Sequence, residues 1–360
     1  MRSGLDFAVN SEPIIRFAFW SGFGATALTL SLIAWIVILR AIYRHNERRK
    51  HEFLSIWRGL LTESALTHLD SRRLPVIADK DVVFFLPYWN HLQNSLRGET
   101  RERLNFLARS TGIDCAARRM LQEGGHAEKL LAIVSLGHLG EKTDTEALEK
   151  LLASEHPIAC LHAVRALLHI DLGTLGELMP IIVQRSDLPT TAIANVLKEA
   201  GLNAVSPILA DMLRHAFLQG AAPQHMVRLV ALTVAARPSV VHAPLREIMD
   251  WTEDTEVLAA CLKVVRDPCD LSRVRQLIGH PDWRVRVHAA AALGDMGEEK
   301  DMEMLIELLS DPQWWVRYRA AQAISRMPFV TAGGLEGIKK HLEDPFAIDM
   351  LNQVISERMS

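Results

Sequence analysis

At 360 residues, 49% hydrophobic and 23% charged, the chain has apolar mass for a large core and lacks the composition of a disordered protein. Its formal charge of −3 is unevenly spread: residues 1–58 carry eight Arg/Lys against four Asp/Glu, and the remainder carries 32 against 39. An acidic body behind a basic collar argues against a nucleic-acid partner, whose affinity would rest on Lys and Arg neutralising phosphates.

From Phe17 to Leu39 run 23 consecutive uncharged residues, and a helix of that length covers a hydrocarbon core of about 30 Å. Residues 17–39 are therefore read as a transmembrane helix, with residues 1–16 as a short non-cytoplasmic tail. Arg40, Arg44, Arg48, Arg49 and Lys50 follow it, against Arg2 and Arg16 before it, so the positive-inside rule puts the body in the cytoplasm. The apolar run ends in a basic helix rather than a small-residue cleavage site, which reads as an uncleaved signal anchor. The expected location is a bacterial inner membrane, crossed once. Gly22, Gly24 and Ala27 match a dinucleotide GxGxxA only superficially, since no strand precedes them. Ser21 and Ala25, like Gly22 and Thr26, have the spacing that lets helices approach in lipid, and serve equally well as helix filler.

Residues 40–70 form a basic juxtamembrane helix in which Phe53, Ile56, Trp57, Leu60 and Leu61 fall on one face. Such a face either lies on the bilayer over 44–66 or covers the first layer of the domain beyond, and the second is preferred. Residues 71–125 read as a helical N-terminal cap. It opens with a loop at Ser71 to Pro75, then a helix capped by Asp81 and interrupted at Pro87, then helices at 99–110 and 113–122.

Residues 126–360 repeat themselves. Pro281, Val285, Arg286, Ala289 and Ala290 recur as Pro312, Val316, Arg317, Ala320 and Ala321, each 31 residues later. Extended backwards, the register aligns Ala132, Ala163, Ala194, Ala231, Ala260, Ala290 and Ala321 as small residues at which helices of adjacent repeats pack. Turns are expected near Gly140, Asp171, Gly201, Asp267 and Gly297, each followed by a second amphipathic helix, with a longer loop at 218–223. Asp-Pro at 311–312 and 344–345 supplies an N-cap followed by proline at the first helical position. The four cysteines show no CxxC pair, and three stand in predicted helices, so buried reduced thiols in a reducing compartment are expected.

The string D-P-x-x-x-V-R-x-x-A-A-x-A at 311–323, followed by a turn, resembles the HEAT-repeat superfamily, and in particular the short HEAT-like repeats named for phycobilisome lyases. The resemblance is closest over 289–324, looser over 127–200 and 254–280, and faintest over 202–252. It implies an all-α fold: a right-handed α-solenoid of helix pairs, here behind one transmembrane helix, binding other proteins. It also implies that Arg286 and Arg317 pair with acids at neighbouring turns, Asp282 or Asp311, as a structural ladder.

Trp283, Trp314, Trp315 and Tyr318 form the candidate partner surface, because 283 and 314 are equivalent positions and tryptophan is enriched at binding hot spots. No catalytic, cofactor-binding or metal-ligating set is identified. His156, His162 and His169 lack metal spacing, and the one His-Glu step, His51-Glu52, does not support the di-iron chemistry of some HEAT-like proteins. The expected function is a membrane-anchored scaffold for a membrane-associated protein, in an envelope, secretion or polysaccharide-export complex. An enzyme or its accessory subunit, and a membrane-surface sensor binding lipid through 44–66, are the alternatives.

Overall fold

The computed structural model describes residues 11–67 and 74–359, and every regular element among them is helical. Residues 1–10 of the expected 1–16 tail, 68–70 of the expected juxtamembrane helix and the loop residues Ser71 to Arg73 lie outside the described residues. The chain divides into two compact units, Met1–Leu131 and Ala132–Ser360.

The first unit is built on α1, Ser11–Leu66, which runs without a break from the apolar stretch into the basic collar and beyond. Its residues from Trp20 to Leu39 are exposed, and the mean hydropathy there reaches 2.1, so by length and composition this helix can cross a membrane. Further along, Leu54, Trp57 and Leu61 are buried. They pack on α2 (Val82–Ser95) and α3 (Glu99–Ser110), with the Trp57 ring edge-on to Phe85 at 5.1 Å. The apolar face of this stretch therefore covers the domain instead of lying on lipid, and Ile56, assigned to it by periodicity, points outward. Arg103 donates to the carbonyl of Leu66 at 2.6 Å, satisfying an end of α1, and the buried Trp89 indole donates to Leu104 O at 3.1 Å. α4, Ile113–Glu123, completes the cap.

Two expectations need correction here. Pro87 does not interrupt α2: it sits on the exposed side, where water can satisfy the carbonyl its missing N–H leaves free. Asp81 makes no side-chain cap, because Arg49 holds its carboxylate at 2.7 Å.

In the second unit the first helices form one continuous layer. α5 (His126–Leu139), which enters from the first unit, is followed by α7 (Pro157–Ile170), α9 (Thr190–Ala200) and α11 (Pro223–Leu232). The layer goes on through α13 (Thr255–Val264), α15 (Trp283–Met296), α17 (Trp314–Arg326) and α19 (Pro345–Met359), each stacked on the next. Between them come the second helices: α6 (Thr145–Glu149), α8 (Leu175–Gln184), α10 (Leu202–Leu218), α12 (Pro238–Trp251), α14 (Leu271–Leu277), α16 (Met302–Leu308) and α18 (Ala332–Lys340). This is an all-helical, solenoid-like stack. Left-handed Gly140 and Gly201 end first helices as expected, at φ of 72° and 103°.

Ala132, Ala163, Ala194, Ala260, Ala290 and Ala321 are buried, and Ala231 is half-buried. The closest crossings fall at glycines. A methyl group on Gly137 would stand 2.7 Å from the Ala166 Cα, and one on Gly294 2.7 Å from the Ala323 Cα, the same contact made in two repeats.

Charged rungs join successive turns. Arg286 donates to both oxygens of Asp311, at 2.7 and 3.0 Å, and to the carbonyls of His280 and Pro281. Asp282 is not a rung: it caps α15 by accepting from Arg284 N at 2.8 Å. Among the described residues Arg317 finds no carboxylate. It donates to the carbonyls of Asp311 and Pro312 and lies 5.4 Å over the Phe346 ring. While holding Arg286, Asp311 also accepts from Gln313 N at 2.8 Å, and α17 starts at Trp314, two residues beyond Pro312; Asp344 accepts from Phe346 N at 2.9 Å and α19 starts at Pro345 as the sequence predicts.

A second set of rungs sits where short 3₁₀ turns lead into second helices. Asp270 and Asp301 each close such a turn and are buried. Burial alone would push the Asp301 carboxyl up, but Arg275, at 2.6 and 3.0 Å, and the Glu298 amide, at 2.8 Å, together hold it below the usual range. Asp270 accepts no hydrogen bond, and Arg246 reaches it only at 3.5 Å while donating to Cys269 O and Ser272. Burial therefore pushes its carboxyl up.

The cysteines divide evenly. Cys160 and Cys261 are buried, and burial pushes the Cys261 thiol to about 12; Cys115 and Cys269 are exposed, contrary to expectation, and all four are free.

Gly294→Ala is expected to destabilise the fold by about 1–3 kcal/mol through overpacking, as is Ala290→Leu. Gly176→Ala, which meets nothing within 4 Å, should stabilise it by about 0.4–1 kcal/mol in the same urea titration. The two aspartates should respond to pH with opposite sign. Asp301→Ala should cost about 1–3 kcal/mol at neutral pH, a deficit that shrinks on acidification as the native carboxylate itself becomes protonated. Asp270→Asn should leave neutral-pH stability unchanged or raised, its gain fading as pH falls. Unfolding midpoints measured across the acid limb check both.

Candidate functional site

The first turn of α15 is set by Asp282, whose carboxylate accepts from the Arg284 amide and is held down to about 2 mainly by the Arg284 guanidinium. That turn carries Trp283 at its start. In α17 the first turn carries Trp314 and Trp315. These rings remain 37%, 38% and 56% exposed.

Trp314 stacks on Tyr318, one helical turn on, with ring centroids 5.2 Å apart and planes within 6°, and meets Trp315 edge-on at 4.7 Å. The Tyr318 hydroxyl donates to Glu357 on α19 at 2.9 Å, which fixes the stack and raises the hydroxyl's pKa. Among the described residues Trp283 shares no ring contact with this cluster; it lines a cavity of its own instead. Phe346, 65% exposed on α19, extends the aromatic surface beyond what the repeat equivalence selected.

The cavity beside Trp283, of about 310 Å³, lies between α13 and α15, and its walls include Ala259, Val287, Lys263, Arg284 and His288. His288 is uncharged at neutral pH, because burial and the nearby cations Lys263 and Arg319 push its imidazole down to about 4. Lys263 and Arg319 have no ion-pair partner among the described residues; Arg319 donates only to Gln322, at 2.6 Å. Arg284 is held by Asp282 at 2.8 Å, with Glu256 at 3.9 Å.

Sequence reasoning selected the tryptophans and missed these cations. The cue was the spacing of the two capping aspartates, Asp254 and Asp282, which stand 28 residues apart and pair Ala260 with His288 across the cavity. Among the described residues no group of three or more His, Cys, Asp or Glu is placed to hold a metal ion.

A family model for HEAT repeats matches residues 243–325. No curated protein matches the sequence. Among solved structures the chain is similar to Kap121p bound to Nup53p, with 12% identity over 83% of this chain and 41% of that one, and a TM-score of 0.45. It is similar also to importin beta, with 15% identity over 88% of this chain and 54% of that one, TM-score 0.36. An engineered protein gives 15% identity over 84% of this chain and 98% of its own, TM-score 0.33. The chain thus spans about half or less of the length of the two karyopherin-type structures. The match runs from within α12 to within α17, where the exposed tryptophans Trp283, Trp314 and Trp315 stand.

Proposed function

We propose that this protein is a membrane-anchored scaffold that docks another protein on the aromatic ridge of α15 and α17. The observation that carries this reading is the exposure of Trp283, Trp314 and Trp315 at the starts of two successive first helices. Exposed apolar rings grouped in this way mark interaction surfaces, and tryptophan gives them a large energetic yield.

The anchor is residues 17–39 within α1, and the basic collar from Arg40 to Lys50 supports a cytoplasmic solenoid at a bacterial inner membrane. Tethering raises the scaffold's effective concentration toward membrane partners. The client is accordingly sought among membrane complexes of envelope biogenesis, secretion or polysaccharide export. The lipid-sensor alternative loses its surface, because Trp57 and Leu61 are used in packing.

Crosslinking in intact cells, followed by purification and mass spectrometry, should enrich a membrane protein with the full chain. The Trp283/Trp314/Trp315→Ala variant should reduce that yield about tenfold or more, as hot-spot truncation does. Enrichment unaffected by the variant removes the ridge from the proposal, and copurification of a small molecule in place of a protein favours the enzyme reading. Topology has its own test in the exposed thiols. A membrane-impermeant maleimide should leave intact spheroplasts unlabelled and react after lysis with Cys115 first. Cys269 should follow more slowly, since its hydrogen bond to Asp267 raises its thiol pKa, and Cys160 and Cys261 should stay unlabelled. Labelling before lysis reverses the orientation.

A further inference from the structure

The cavity beside Trp283 does not stand alone. Val227 on α11 lines both it and a second cavity of about 460 Å³, which reaches Thr190 and Arg228. Gln184 and His225 in turn line both the second and a third cavity of about 700 Å³, walled by Leu218, Met212 and Leu229. A row of hollows sharing walls across neighbouring helices suits an extended chain better than a compact ligand, since first helices stand ~8–10 Å apart and an extended chain advances ~3.3 Å per residue.

The row is chemically graded. At the Trp283 end, Lys263 and Arg319 are cations without carboxylate partners among the described residues, although the body as a whole is acidic. Glu256 is the one carboxylate in that cavity's wall, and it faces Arg284. At the other end, Arg214 is shared between Asp211 and Glu247, at 3.8 Å each, so its charge is answered, and Leu218, Met212 and Leu229 dominate.

We propose that this row of cavities binds an extended segment of the partner protein, apolar where it crosses the Leu218–Leu229 hollow and acidic where it reaches Trp283, with its carboxylates answered by Lys263 and Arg319. Charge complementarity commits the occupant: a cationic end on an acidic body steers an acidic segment to one place and one polarity. His288, uncharged beside these two cations, adds no proton-dependent charge there at neutral pH. This inference rests on the scaffold reading and specifies its partner.

The test uses the full chain in lipid nanodiscs and a fluorescein-labelled peptide of about twelve residues, leucine-rich in one half and Asp/Glu-rich in the other, enough at ~3.3 Å per residue to follow the row. Its counterpart carries Asn and Gln for Asp and Glu. The acidic peptide should bind about tenfold more tightly than the amide counterpart, and the difference should shrink as salt rises. Lys263→Glu and Arg319→Glu, both at accessible positions, should each weaken the acidic peptide about three- to tenfold with the thermal midpoint unchanged. Absence of binding by the acidic peptide, equal binding of both peptides, or indifference to both charge reversals overturns the proposal.

A photo-crosslinking residue at Thr255, on the cavity wall, separates this inference from the reading beneath it. Capture in cells of a partner segment that lacks acidic residues overturns the inference and leaves the scaffold standing. Failure of the full chain to crosslink any protein overturns the scaffold.

Discussion

Where α15 crosses α17, a methyl group placed on Gly294 would fall 2.7 Å from the Ala323 Cα, and the same approach recurs between Gly137 and Ala166. Backbones this close leave room for nothing larger than alanine between them, so Ala289, Ala290, Ala320 and Ala321 line the crossing and are fully buried. Large side chains must then go elsewhere. Leu293 and Ile324 are buried in the same helices, and Trp283, Trp314 and Trp315 stand at the helix starts in contact with solvent. Tight packing in the layer and an aromatic ridge on its edge are two results of one spatial constraint.

The electrostatic frame follows from the same repetition. Some turns between repeats bring an acidic residue within reach of an arginine on a neighbouring helix, as Arg286 of α15 reaches Asp311 and Arg275 of α14 reaches Asp301. Where the geometry is met, burial strengthens the pair; where it is missed by less than an ångström, as at Asp270, burial becomes a penalty on the charged form. The chain thus contains both outcomes of one design in adjacent repeats.

Helix order and most boundaries were legible because local chemistry sets them. Glycine at 140 and 201, aspartate at 171 and 267, and the Asp344-Pro345 step each stop or start a helix without help from distant residues. Ring exposure, the Arg246–Asp270 and Arg275–Asp301 rungs, and the exposed thiols of Cys115 and Cys269 were not legible. They depend on how far one repeat stands from the next, which periodicity does not state. Asp311 shows the difference in one residue: its sequence context marks a cap, and its carboxylate does accept from the Gln313 amide, yet it also holds an arginine 25 positions earlier, which no local pattern states. The cationic end of the cavity row was hidden because the short step from Asp254 to Asp282 rotates the residue equivalences by two positions.

α1 continues from the exposed apolar stretch, through the collar, into residues whose side chains form the core of the first unit, with no turn, proline kink or glycine-rich joint between Leu39 and Leu61. A rod of 56 residues, ~84 Å long, has no joint there at which bending could be absorbed. Whatever tilts or rotates the apolar end therefore levers Trp57 and Leu61 against Phe85, and the first unit must turn with it. The helix is an axle, not a leash, so the angle of its apolar end is passed on to the attached core.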